Sequence, residues 1–207
     1  MAALDDDALR ALWTLSDRTG VRPEYLIPVL SYESGLDPSV QNRAGLPYYG
    51  IAQTSGAQLA AMGIDPASWL ALPASEQIAR AVGPYFASAV ARYGPIRSAT
   101  RAYQANLLPA TLATARGLGQ IVALRGSAAY EANRQIDRRG HGAILVDDLA
   151  ALMGRQLQSA AVESAIARAY VLRPAEQRAP AVYGHDFVDP AAAFAGAVAL
   201  ALVAGAR

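Results

Sequence analysis

The chain has no cysteine and no lysine, and only two histidines, His141 and His185. Without a thiol there is no cysteine nucleophile, no disulfide framework and no Cys-ligated zinc or iron–sulfur site. Without a lysine amine there is no Schiff-base chemistry. Two histidines are too few for a His-rich metal centre, so neither a metal nor a cofactor is expected. Charge is scarce as well. Only 17% of the 207 residues are charged, and the 18 basic side chains, all arginine, nearly balance 17 acidic ones. The net charge of +1 does not advertise a nucleic-acid surface. At 53% hydrophobic residues, the chain is not a disordered polyelectrolyte.

The start of the chain carries Asp5-Asp6-Asp7 in place of the positive region of a secretory signal, so synthesis without a signal peptide is expected. Residues 191–206 form an uncharged run dominated by Ala and Gly. It falls short of the roughly 20 apolar residues of a membrane span. The expectation is a helix packed on protein, with no membrane contact.

What the chain has in abundance is alanine, 47 residues, and helical periodicity. Leu4, Ala8, Leu12 and Leu15 fall at helical spacing up to Asp17, with Gly20 as the stop. A second helix is predicted from Pro23 towards Glu33, kinked or irregular at Pro28. Residues 37–49 read as loop, and residues 53–62 as helix ended by Gly63. Residues 75–93 are periodic, with Gly83-Pro84 predicted to split them. Further helices are predicted over residues 96–105 and 108–124. The reading is all-α: one helical domain over residues 1–170, then residues 171–207 as an extended arm with Pro174, Pro180 and Pro190 and an Ala-rich C-terminal helix.

Chemistry concentrates in Tyr32-Glu33-Ser34-Gly35-Leu36-Asp37-Pro38, followed by Asn42, Gly45 and Tyr49-Gly50-Ile51-Ala52-Gln53. A helix carries a carboxylate at its last turn and breaks at Gly35. A loop then leads to a segment headed by Gln53. That layout can hold one acid over a cleft, where apolar neighbours would raise its pKa towards that of a general acid, and it equally fits an ordinary exposed glutamate at a helix end. Asp37 precedes proline in a turn, Asp65-Pro66 reads as a helix start, and Glu76 follows Ser75 at another. One working carboxylate is therefore preferred over two, with Asp37 left open as a second.

Glu33-Ser34, Gly50-Ile51-Ala52-Gln53 and Ala102-Tyr103-Gln104 together resemble the soluble lytic transglycosylases of the lysozyme superfamily, in order and rough spacing over residues 23–110. The chain departs from the family pattern in a longer loop bearing Pro47 and Tyr48, in Ala52 for Met, and in Gln104 for Asn. Asn106-Leu107-Leu108-Pro109-Ala110 resembles a variant in phage-type members and suggests a divergent branch. The resemblance implies a lysozyme-like fold and cleavage of the β-1,4 bond between N-acetylmuramic acid and N-acetylglucosamine, with peptidoglycan glycan strands as partner. It implies Glu33 as sole acid and base, closing a 1,6-anhydro ring, where most glycosidases need two carboxylates. It further implies that Ser34 contacts substrate or orients Glu33, that Tyr49, Gly50, Gln53 and Gln104 line the cleft, and that the Tyr103 hydroxyl bonds Glu33. Tyr48 and Tyr49 suit stacking on sugar faces. Two alternatives stay open: a hydrolytic muramidase on the same fold, and an inactive structural or wall-binding component of a phage-like or secretion apparatus. Without a signal peptide, the protein would reach the wall by phage-type, device-mediated or lytic delivery. Residues 171–207 are the candidate segment for docking a protein partner.

Asp137 to Asp148 has the outline of an EF-hand loop within residues 130–150, with Gly142 at loop position six, Ile144 at eight and Asp148 at twelve. Positions three and five, which need oxygen ligands, hold Arg139 and His141. The loop reads as a degenerate site that binds no calcium and is closed by its own hydrogen bonds and arginine side chains.

Overall fold

Asp5 opens the first helix by accepting a hydrogen bond from the Ala8 amide at 2.8 Å. The computed structural model describes residues 3–42 and 45–174. The described residues are predominantly helical, with two small antiparallel sheets of two strands each among them. The arm and Ala-rich helix expected over residues 171–207 lie, beyond residue 174, outside the described residues.

Helix α1 (Asp6–Thr19) stops at Gly20, whose φ of 72° is left-handed and open to glycine without a Cβ clash. Helix α2 (Pro23–Ser34) begins with proline in its first turn and ends at Gly35. Pro28 does not divide it: the helix runs through, and the missing donor costs a single bond near the helix start. A hairpin follows, β1 (Tyr48–Tyr49) against β2 (Thr54–Ser55), with Tyr49 opposite Thr54.

Helix α3 (Gly56–Ala61) starts later than its sequence predicts. Gln53 is left-handed, with φ 52°, and Thr54–Ser55 pair as strand, so Ser55 becomes the N-cap in a capping box with Gln58. Helix α4 (Pro66–Ala71) is capped by Asp65. Helix α5 (Ala74–Gln77), a π turn over Ile78–Val82, and α6 (Gly83–Tyr93) then follow without a break. The predicted split at Gly83-Pro84 is replaced by that wider turn. The Gly83 amide bonds the Ile78 carbonyl five residues back, so the helix absorbs the donor that Pro84 lacks.

Helix α7 (Ala99–Leu107) is capped by Ser98. The helix predicted over residues 108–124 does not form. The chain makes a 3-10 turn at Pro109–Leu112, winds past Gly117 and Gly119, and enters β3 (Ile121–Leu124). The Arg101 guanidinium reaches in from α7 to bond the carbonyls of Leu112 at 2.6 Å and Ala115 at 3.0 Å. Those carbonyls are thereby satisfied outside any helix. Helix α8 (Ala128–Asn133), a 3-10 turn at Arg134–Ile136, β4 (Ala143–Leu145), α9 (Val146–Leu157) and α10 (Ala160–Val171) complete the described fold. Strand β4 pairs with β3, placing Ile144 opposite Ala123.

Helix α2 is the centre of this arrangement. Helices α1, α7, α9 and α10 pack around it, and Leu26, Ile27 and Leu30 are fully enclosed. Each such side chain contributes about 1.5–3 kcal/mol by leaving water. Trp13 on α1 donates its indole N–H to the Ala169 carbonyl on α10 at 2.7 Å, which closes the bundle around α2. The last turn of α2 emerges from this core still carrying Glu33.

The loop expected to resemble an EF-hand is held by hydrogen bonds from Tyr130 and its own residues. The Asp137 carboxylate accepts from the Tyr130 hydroxyl at 2.9 Å and from the amides of His141 at 3.0 Å and Gly142 at 2.8 Å. Burial pushes its pKa up, but these bonds outweigh burial and hold it below the usual value. Asp148 accepts from the Leu145 amide at 2.9 Å, and Arg139 lies 3.6 Å from its other oxygen.

Candidate functional site

Glu33 opens into a groove of about 680 Å³. Two regions of chain build its walls beside the ends of α2 and α7. The loop and hairpin supply Asn42, Tyr48 and Gln53, and the end of α8 and the turn after it supply Asn133 and Gln135. Tyr85 and Phe86 of α6 and Tyr103 and Asn106 of α7 complete it. Among the described residues that line the groove, Glu33 is the only one with a carboxylate, and neither arginine nor histidine joins it.

The turn after Glu33 is sharp. Gly35 and Leu36 are both left-handed, with φ of 68° and 66°, and Leu36 is buried. A leucine in that region costs about 1–2 kcal/mol, a strain that its burial offsets. Burial pushes the Glu33 carboxyl up to about 7, against the opposing hydrogen bond from Asn106. That bond runs from Asn106 Nδ2 to Glu33 Oε1 at 2.8 Å. A carboxyl near 7 is half protonated at neutral pH, which suits a group that must first give and then take a proton.

Tyr103 is 1% exposed and stands beside Glu33, whose charge, after desolvation by burial, helps raise the Tyr103 pKa. Its hydroxyl interacts with Tyr32, and the two rings meet edge to face at 5.3 Å. The hydrogen bond on Glu33 thus comes from Asn106, where the resemblance implies Tyr103. Gln104 does not reach the groove. It is fully buried, donating to Thr111 Oγ1 at 3.0 Å and the Ala115 carbonyl at 2.9 Å, and accepting from Arg101 at 2.9 Å. The reason is helical phase: Gln104 is one residue past Tyr103 and turns to the core, whereas Asn106 is three past it and shares its face.

Gln53 lines the groove. Its amide nitrogen donates to the Gly50 carbonyl at 3.1 Å, and its oxygen accepts from Asn42 at 3.3 Å. Ser34 lies outside the lining and donates to the Leu30 carbonyl of its own helix at 3.0 Å. Tyr49 and Gly50 are also behind the wall, while Tyr48 faces the groove at 40% exposure. The Gly50 amide bonds the Val40 carbonyl at 2.8 Å, and Trp69 donates to the Tyr49 carbonyl at 3.3 Å.

No family model, curated protein or solved structure matches the chain.

Two residues that matter to the site went unassigned in the sequence. Asn106 had a signal, its i,i+3 spacing from Tyr103 on one helix face. Gln77 had none. It is fully buried, accepts from the Ile51 amide at 2.8 Å and donates to the carbonyls of Pro38 and Trp69, each at 2.9 Å. One side chain thereby ties both ends of the loop to α4. The other acids are engaged elsewhere. Asp37 accepts from the amide and hydroxyl of Ser39, at 2.8 and 2.7 Å. Asp65 caps α4, and Glu76 pairs with Arg80 at 2.8 Å.

Proposed function

We propose that the protein cleaves the β-1,4 bond between N-acetylmuramic acid and N-acetylglucosamine in peptidoglycan, as a lytic transglycosylase on a lysozyme-like fold. The observation that carries this reading is the groove whose described lining holds a single carboxylate, Glu33, with its pKa pushed up to about 7. Hydrolysis by the common route needs a second carboxylate to act on water or on the sugar. Asp37, Asp65 and Glu76 lie outside the groove lining, each with a local partner.

In this mechanism protonated Glu33 gives its proton to the glycosidic oxygen as the C1–O bond breaks. The substrate's acetamido oxygen stabilises the positive charge at C1. The Glu33 carboxylate then takes the proton of the C6 hydroxyl, whose oxygen bonds C1 and closes the 1,6-anhydro ring. One proton leaves Glu33 and one returns, and no water is consumed. Asn106 holds Oε1 by donating to it, which leaves Oε2 as the oxygen that carries the mobile proton. The rest of the described lining is uncharged and suits a glycan gripped by hydrogen bonds and ring stacking. Delivery to the wall by phage-type, device-mediated or lytic release, with residues 171–207 docking a protein partner, belongs to the same proposal. Loss of turbidity of purified sacculi with wild type but not with Glu33→Gln tests it. Clearing by both variants would remove Glu33 from the mechanism.

A further inference from the structure

The groove extends to residues that none of the catalytic chemistry uses. Ala132, Asn133 and Gln135, at the end of α8 and in the 3-10 turn after it, line the same groove as Glu33. We infer that Asn133 and Gln135 form a sugar subsite that takes an uncharged N-acetylated ring, adding to the substrate's footprint beyond the bond cleaved at Glu33. The inference rests on the glycan-cleaving reading and names a part of the substrate that this reading leaves open.

Three features support it. The segment is anchored from behind: Tyr130 is buried and its hydroxyl holds Asp137, while the Ser127 hydroxyl caps α8 through the Tyr130 amide at 3.2 Å. A wall fixed in this way has its backbone ordered in advance, so only the side chains remain to be ordered on binding. Next, the polar atoms match the ligand. Asn133 donates Nδ2 to the Ala129 carbonyl at 3.1 Å, which leaves its Oδ1 as an acceptor. Gln135 is exposed and its amide makes no hydrogen bond among the described residues, so it offers both a donor and an acceptor. An acetamido group needs one acceptor for its N–H and one donor for its C=O. Finally, Ala132 is small beside this pair, leaving room for a ring face, and no charged side chain among the described residues lines the groove except Glu33. A carboxylate carried directly on a sugar ring would meet no cation among the described lining residues, so this lining favours neutral rings.

The test is calorimetric titration of the full-length chain, with Glu33→Gln as background to prevent turnover. The probes are neutral β-1,4-linked N-acetylglucosamine oligomers of two and of four rings. The expected result is that Gln135→Ala weakens tetramer binding about fivefold to tenfold, the equivalent of one or two hydrogen bonds. Dimer binding should change less than twofold, and Asn133→Ala should act in the same sense. Gln135 is exposed, so thermal unfolding of the variant should match the parent. Tetramer affinity unchanged by both substitutions would overturn the subsite while leaving cleavage at Glu33 untouched. Absence of binding by the parent to either oligomer would overturn the subsite and the glycan reading together.

Discussion

Asn106 Nδ2 lies 2.8 Å from Oε1 of Glu33, joining the last turns of α7 and α2 across 73 positions of chain. The bond opposes the effect of burial, which alone would push the carboxyl higher than about 7. Two consequences follow for Asn106→Ala. The descending limb of the pH–rate profile, set by loss of the Glu33 proton as pH rises through about 7, should move to higher pH. The turnover number should also fall about tenfold to a hundredfold as the carboxyl loses its orientation. Initial rates on isolated wall material between pH 5 and 9 measure both. A limb that stays in place would mean that another group sets it.

The raised carboxyl also bears on stability. The folded protein holds the Glu33 proton up to about 7, whereas the unfolded chain releases it near 4.5. Below the unfolded value both states are neutral and burial carries no ionic penalty. Between the two values the penalty grows, and above about 7 it is complete. Glu33→Gln should therefore raise stability at pH 8 by at most about 3 kcal/mol, with the gain fading near pH 4. Urea unfolding of both proteins at the two pH values checks the sign and the window.

Gly50 and Gln77 form one contact that shapes the groove from behind. A methyl on Gly50 would overlap the Gln77 amide oxygen and come within 2.6 Å of Trp69 Nε1, at a φ of 77°. Gly50→Ala should cost about 3 kcal/mol, from left-handed strain and overpacking together. Gln77→Ala should cost about 2–4 kcal/mol, because it strips a partner from the buried Ile51 amide and from two carbonyls. Denaturant midpoints measure these losses.

The Asp137–Asp148 loop should ignore calcium. Arg139 lies at a position where an ion needs an oxygen, 3.6 Å from Asp148, and the Asp137 carboxylate already accepts from three donors. Calorimetric titration with calcium chloride at physiological concentrations is expected to give no binding heat, and thermal unfolding should not shift.

Much of the helical fold was legible because capping and periodicity are local. Gly20, Pro23, Gly35 and Asp65 mark helix ends where the structure has them. The misreadings arose where distant groups decide. Residues 108–124 look helical by composition, yet Arg101 takes their carbonyls from another element. Pro84 looks like a breaker, yet one π turn absorbs it. At the site, Glu33 could be read from its place before Gly35. The difference between Gln104 and Asn106 could not be read from motif order, since helical phase alone sends one to the core and the other to the carboxyl. Gln77 was out of reach because its role exists only when α4 and the loop meet around it.

The most direct measurement is mass spectrometry of the fragments released from purified sacculi by the full-length protein, beside the Glu33→Gln variant. The expected result is muropeptides ending in 1,6-anhydro-N-acetylmuramic acid from the wild type and none from the variant. Reducing ends in their place would mean that water attacks C1. Fragments released equally by both proteins, or by neither, would contradict a single-carboxylate cleavage centred on Glu33.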